Sequence, residues 1–119
     1  MKGEAYLKKP IDFACLHHEG RRLGGRVLSV KSLPNGLGYG RWGIVVSKKL
    51  GKSVVRNRIK RRIREVLRQA KIKAGIDIMI IARAGAAAAD YNKLNQEALE
   101  LLRRGGLVET NENTGHASN

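Results

Sequence analysis

The alternation of hydrophobic and polar residues predicts three strands. They cover residues 26–31, 42–47 and 76–82. In the first strand, Leu28 and Val30 share one face, and Ser29 and Lys31 share the other with Val27. In the third strand, Ile76, Ile78 and Ile80 occupy alternate positions and therefore share one face. We expect the second strand to pair with the first.

Three other segments have the 3.6-residue period that is typical of helices. They cover residues 12–18, 53–73 and 90–104. The first has a weak apolar side that includes Ile11, Cys15 and Leu16, and Gly20 closes it. Ser53 and Asp90 are suitable N-caps for the other two helices.

The central helix has the clearest apolar stripe of the chain. On a helical wheel, six of its apolar positions fall within one third of the circumference: Val55, Ile59, Ile63, Val66, Leu67 and Ala70. The last helix is expected to bury Leu94, Ala98, Leu101 and Leu102. We therefore expect both helices to cover a sheet, with Gly75 ending the central one.

A chain of 119 residues is long enough for one domain with one core. We predict a single domain at residues 1–108, which begins with a loose basic arm at residues 1–9. Residues 109–119 are polar without a period, and we expect a disordered tail there.

Charge is concentrated in the middle of the chain. The formal net charge is +14, from 24 Lys and Arg and 10 Asp and Glu. Residues 41–73 contain 13 of the basic residues and one acidic residue, Glu65, which gives this segment +12. A surface shaped only by solubility mixes both signs, so a one-sided concentration indicates a face that binds a polyanion.

Cations cover most of the central helix outside its apolar stripe. Like charges four residues apart, such as Arg56 with Lys60, repel each other in the free helix. Such repulsion would be relieved if phosphates neutralised the charges, which favours a polyanion as the partner. A solvated charged face is the ordinary alternative, and a helix that binds calmodulin or a membrane surface is another.

Several classes of function are not supported by the composition. No apolar run approaches the length of a membrane span, and the first residues lack the apolar region of a signal peptide. The single cysteine, Cys15, fits a reducing cytoplasm, where we expect the protein. The three histidines match no zinc spacing, and no pair of carboxylates or nucleophile with a base stands out. We therefore predict no catalytic and no metal-binding residue.

The segment from Ser47 to Glu65, SKKLGKSVVRNRIKRRIRE, resembles the signature of the bacterial ribonuclease P protein subunit. The Arg-Asn-Arg core at residues 56–58, followed by basic residues at helical spacing, is its most specific part. Asp12-Phe13, Arg41-Trp42-Gly43 and residues 77–83 resemble other parts of the same family. The resemblance covers about residues 5–108.

This resemblance implies an α+β fold with the order αβββαβα, a two-layer sandwich whose sheet is mostly four-stranded. The fourth strand would lie near residues 20–25. It also implies a left-handed β-α-β crossover through the basic helix, which opposes the usual right-handed rule.

The resemblance implies an accessory role in an endoribonuclease. In this family a large RNA cuts the 5′ leader from precursor tRNA with bound Mg²⁺, and the protein binds that RNA, with one copy of each expected. The protein also holds the leader in a cleft beside its first helix. We therefore expect no cofactor on the protein itself, Mg²⁺ through the RNA, and neither a membrane nor DNA as partner.

The matched motifs supply candidate residues. The RNA-binding candidates are Lys48, Lys49, Lys52, Arg56, Asn57, Arg58, Lys60, Arg61, Arg62, Arg64 and Arg68. The leader-cleft candidates are Phe13, His17, Ser29 and Lys31. For Arg58 and Arg62, a local ion pair with Glu65 is an equal alternative, and for Phe13 the alternative is a core position.

Two of the cleft candidates differ from the family pattern. Relatives often carry an aromatic residue where this chain has His17, and a tyrosine where it has Lys31. We expect weaker base stacking and a steeper salt dependence as a result. The competing functions are a small basic ribosomal or other structural RNA-binding protein and, less well supported, a DNA-binding protein.

Overall fold

The computed structural model describes residues 6–7 and 9–109. Its elements follow the order αβββαβα, so the predicted α+β class and element order are confirmed. The helices are α1 (Pro10–Glu19), α2 (Ser53–Ala70) and α3 (Tyr91–Arg104). The strands are β1 (Arg21–Gly24), β2 (Leu28–Pro34), β3 (Arg41–Val45) and β4 (Ile76–Ala82). Strand β1 is the fourth strand implied by the resemblance.

The four strands form one mixed sheet in the order β1-β2-β4-β3. Strand β2 is antiparallel to β1 and β4, and β3 is parallel to β4. The expected pairing of β3 with β2 is therefore wrong. Alternation determines which residues share a face but does not determine the neighbouring strand. The apolar run Ile78-Met79-Ile80, buried on both faces, fits the central place of β4.

Helices cover both faces of this sheet. Helices α2 and α3 pack on one face, where Leu28, Val30, Ile78 and Ile80 are buried in the main core. Helix α1 packs on the other face, over a smaller cluster centred on Met79. The two-layer description therefore needs correction, because α1 forms a partial third layer. Helix α2 connects the parallel strands β3 and β4, and the handedness of this crossover stays a prediction.

Helix α2 buries the stripe that its sequence predicts. Ile59, Ile63, Val66 and Leu67 are at most 2% exposed, and Val55 and Ala70 pack against the same core. The helix is shorter than expected because Lys71 adopts a left-handed conformation with φ 49° and ends it before Gly75. Ser53 is the first helical residue, so it does not act as the predicted N-cap; Lys52 occupies that position. Asp90 caps α3 as predicted, by accepting a hydrogen bond from the Lys93 N–H.

The two ends of the domain are attached to its body. The predicted loose arm is wrong at Tyr6 and Leu7, because the Leu7 N–H donates to the Trp42 carbonyl and the Tyr6 ring contacts the indole edge to face. These contacts form an isolated bridge at the start of β3. At the other end, the Glu109 N–H donates to the Lys71 carbonyl. The remaining residues of the predicted arm, apart from Lys9, and the rest of the predicted tail lie outside the described residues.

Candidate nucleic-acid interface

A groove lies between α1 and the sheet. The β3–β4 register pairs Gly43 with Met79 and Val45 with Ile81, which places these four residues on the face that α1 covers. The groove has a volume of about 510 Å³. It is lined by Phe13, Ala14, His17, His18, Val45, Met79 and Ile81. It therefore combines an apolar floor with one phenyl and two imidazole rings.

A glycine allows the phenyl ring to approach the sheet. A Cβ atom at Gly43 would lie 2.7 Å from two carbons of the Phe13 ring. Phe13 is half-buried, so it packs on the sheet and also lines the groove. The two alternatives for Phe13, a core position and an RNA contact, are thus compatible with one conformation.

The predicted cleft residues separate into two pairs. Phe13 and His17 line the groove, whereas Ser29 and Lys31 do not. Ser29 is only 3% exposed, which leaves it almost no surface for an RNA strand, so its assignment to the cleft needs correction. The Lys31 ammonium instead donates to the His17 carbonyl at 2.7 Å and lies 3.5 Å from His17 Nδ1.

A charged cluster joins the start of α1 to the sheet. Arg41 donates from Nε and Nη2 to the two oxygens of Asp77, at 2.8 and 2.7 Å, and its Nη1 lies 3.5 Å from Asp12 of α1. Asn35 also donates to Asp77, which is buried. The hydrogen bond to Asp77 raises the pKa of Arg41, although burial opposes the shift. Arg41 is therefore a structural cation and does not belong to the charge available for a polyanion.

The basic patch comprises the predicted RNA-binding residues of α2 and of the segment before it. Lys48, Lys49 and Lys52 are exposed and follow β3 directly, with residues 48–50 in a short 3-10 turn. Asn57 and Arg61 are exposed on α2, and Lys60 and Arg64 are partly exposed. Within the described part of the chain, only Arg68 of this patch has a carboxylate at ion-pair distance. The patch is thus largely free to bind phosphates.

The arginines of the patch differ in their local contacts. Glu65 lies 3.6 Å from Arg68, so the alternative in which it pairs with Arg58 or Arg62 is not observed. This pair is about half exposed at both ends and contributes little to stability. Arg56 is held in place because its Nε donates to the Gly51 carbonyl at 3.1 Å.

The groove and the basic patch are adjacent along the chain. Val45 lines the groove at the end of β3, and the lysines at positions 48, 49 and 52 follow within a few residues. The lysines therefore begin three residues after a residue that lines the groove.

Sequence reasoning missed several groove residues. Met79 and Ile81 alternate with other isoleucines of β4, so the sequence indicates that they share a face. Their place beside β3 could not be predicted, because β3 was expected to pair with β2. Ala14 and His18 lie one position after predicted cleft residues, and only the docking of α1 shows that they contribute.

Two features that are typical of other functions are absent from the described residues. Among the described residues, no group of three or more His, Cys, Asp or Glu side chains could hold a metal ion. In the same part of the chain, no helix is long and apolar enough to cross a membrane.

The fold and the surface define a class: a small α+β protein with a basic helix on one face of its sheet and an apolar groove on the other, features that are typical of proteins that bind nucleic acids. Residues 1–106 match the family model of ribonuclease P. The chain belongs to the ribonuclease P protein family. It is therefore the protein component of an endoribonuclease, acts with the ribonuclease P RNA, and has a role in processing tRNA 5′ leaders.

Individual relatives agree with this assignment. The ribonuclease P protein component of Caldanaerobacter subterraneus is 38% identical over 108 residues, which cover 89% of this chain and 93% of the relative. That of Alkaliphilus metalliredigens is 37% identical, over 91% of this chain and 99% of the relative. The structure of the Staphylococcus aureus RNase P protein superposes with a TM-score of 0.81 at 31% identity, over 90% of this chain and all of that one. The Thermotoga maritima RNase P protein gives 0.78 at 34% identity, with the same coverage.

Proposed function

We propose that the groove beside α1 binds the 5′ leader of precursor tRNA while the basic patch binds the ribonuclease P RNA. The observation that carries this proposal is the groove's composition, since an apolar floor with a half-buried phenyl and two exposed imidazoles at its wall suits unstacked bases. The lysines after Val45 suit the phosphates of the same strand. A leader of variable sequence is best held by stacking and by phosphate contacts, because neither depends on base identity.

The basic patch supports the second half of the proposal. Most of its cations lie on α2, whose opposite side is fixed in the core, so the spacing of these cations is preset. Phosphate binding by such a row displaces counterions and makes the affinity strongly dependent on salt. Arg56, Asn57, Lys60, Arg61 and Arg64 form the centre of this surface.

The chemistry is assigned to the RNA in this proposal. Mg²⁺ would be held through the RNA subunit, and one protein would bind one RNA. The protein would raise the affinity for substrate by holding the leader. A left-handed β3-α2-β4 crossover, as the resemblance implies, is part of the same expectation.

The groove of this chain should stack bases less strongly than one with two aromatic residues. His17 stands where relatives often carry an aromatic residue, and its imidazole offers a smaller face for stacking. Because Lys31 is engaged by the His17 carbonyl, any steep salt dependence should arise from the basic patch rather than from the groove.

The proposal is tested with the reconstituted protein–RNA complex. Precursor tRNAs with leaders of increasing length are titrated, and 5′ cleavage is followed at limiting Mg²⁺ with and without the protein. We expect the protein to increase cleavage, and its effect on affinity to grow with leader length until the groove is filled. An affinity gain that is the same for leaderless tRNA would contradict leader binding in the groove.

A further inference from the structure

Helix α1 forms one wall of the groove, yet few contacts hold it. Of its ten residues only Leu16 is buried, and Ile11, which belongs to its weak apolar side, is 63% exposed. Its N-cap, Lys9, makes no side-chain capping bond. An isolated helix of this length is unstable in water, so α1 depends on its contacts with the sheet.

Two polar contacts join the opposite ends of α1 to the sheet. At the start, Asp12 lies 3.5 Å from Nη1 of Arg41, whose other nitrogens are fixed by Asp77. At the end, the Lys31 ammonium donates to the His17 carbonyl, one of the last-turn carbonyls that lack a partner within a helix. A cation at this end also suits the helix dipole. We call these the two end contacts of α1.

The cations of both end contacts lie outside the groove. Neither Arg41 nor Lys31 lines the groove, although both residues lie on the sheet face that α1 covers. Lys31 also lies beside the His17 ring, which does line the groove. A displacement of α1 would move Phe13, Ala14, His17 and His18 together relative to Val45, Met79 and Ile81.

We propose that Lys31 and Arg41 are positioning residues for leader binding: they fix α1 by its two ends and thereby set the width of the groove, without contacting the leader. This inference rests on the proposed function of the groove. It assigns Lys31 a role different from the direct cleft contact that the sequence suggested.

The test uses the holoenzyme reconstituted with the ribonuclease P RNA. Lys31→Met removes the ammonium and keeps a side chain of similar length. Asp12→Ala removes the other end contact, while Arg41 keeps its ion pair with the buried Asp77. The matched controls are Lys93→Met and Glu100→Ala, which make the same charge changes on exposed positions of α3. For each variant, affinity is measured for a long-leader precursor and for leaderless tRNA over a range of salt concentrations.

We expect the double variant K31M/D12A to bind the long-leader precursor about tenfold more weakly, comparable to the loss of one stacked base. Its affinity for leaderless tRNA should match that of the wild type, and amide exchange in α1 should be faster in the holoenzyme. Lys31→Arg, which can still donate to the His17 carbonyl, should restore most of the affinity. The salt dependence should stay unchanged in all of these variants.

Other outcomes separate the alternatives. A slope of log affinity against log salt that falls by about 0.7–0.9 in K31M would show that Lys31 contacts a phosphate, which overturns the positioning role. Unchanged leader affinity despite faster exchange in α1 would overturn it as well. If wild-type affinity does not depend on the leader, the proposed function of the groove fails, and the inference fails with it.

Discussion

Helices α1 and α2 lie on opposite sides of one sheet, and they are stabilised in different ways. Helix α2 has 18 residues and buries four side chains in the main core. Helix α1 has ten residues and buries one. Cations cover the outside of α2, whereas α1 contributes rings and a small apolar surface to a groove.

The difference indicates that the two helices have different structural requirements: α2 needs a rigid support for its charges, and α1 needs a defined position beside the sheet. A row of charges needs a rigid support, because the repulsion among the charges would otherwise favour unfolding. A groove wall needs the correct position more than rigidity of its own. The core therefore determines the geometry of α2, and polar contacts at its ends determine that of α1. Changes on α2 should affect binding of every RNA, and changes on α1 should affect only leader-bearing substrates.

The largest effect is expected at Arg41, which joins α1 to the sheet. Arg41→Ala should lower the free energy of unfolding by about 3–5 kcal/mol, because it leaves the buried Asp77 carboxylate unpaired. Asp12→Ala should lower it by less than about 1 kcal/mol, since that ion pair is long and partly exposed. Urea denaturation measures both. Equal losses of unfolding free energy in the two variants would mean that the buried Asp77 carboxylate does not need Arg41 as its partner.

The next effect concerns the charges of α2. Replacing Arg56, Lys60 and Arg64 by Ala should weaken RNA binding about a hundredfold and lower the salt slope by roughly 2–3, if each contacts one phosphate. The control removes the same charge from α3, as Lys93, Arg103 and Arg104 to Ala. Filter-binding titrations at several salt concentrations measure both. A similar loss in the control would show that net charge, rather than the basic patch, determines affinity.

A smaller and more selective effect is expected at Phe13 on α1. Phe13→Leu keeps an apolar side chain over Gly43 but removes the ring, so binding of leader-bearing tRNA should weaken about tenfold through lost stacking. The salt slope and the affinity for leaderless tRNA should not change. The same titrations decide this, and equal weakening for both substrates would assign Phe13 to the core alone.

The smallest effect has the opposite sign and lies at the end of α2. Lys71 has a φ of 49°, a conformation that costs a residue with a Cβ about 1 kcal/mol. Lys71→Gly should therefore raise the free energy of unfolding by up to about 1 kcal/mol. Lys71→Ala keeps the Cβ and serves as the control, and a gain of the same size in that variant would point to the lost charge instead.

The sequence predicts α2 and α3 well because their apolar stripes arise from a local period. It predicts α1 less well, since a single buried residue, Leu16, makes a weak apolar stripe. The helix begins at Pro10, two residues before the predicted start. The partner of β3 and the bond between Arg41 and Asp77 could not be predicted, because they depend on a strand register that joins residues 36 positions apart.

The same limit applies to the candidate site: the features that depend on a local period could be predicted, and those that depend on long-range packing could not. The row of cations was readable on a helical wheel, and the structure leaves most of it exposed. The groove required the docking of α1, which brings Phe13 and His17 to Met79 and leaves Ser29 buried. Even the motif resemblance could not show that Lys31 ends on a helix carbonyl in this chain.

One contact outside both regions explains the place of an acidic residue in a strongly cationic chain. The backbone N–H groups of Val27 and Leu28 converge on a single oxygen of Glu97, at 2.7 Å each. Leu28 is fully buried and Val27 nearly so, and a buried amide without a partner is costly. The Glu97 carboxylate thus satisfies two amides at the start of β2 and ties α3 to the sheet at that point.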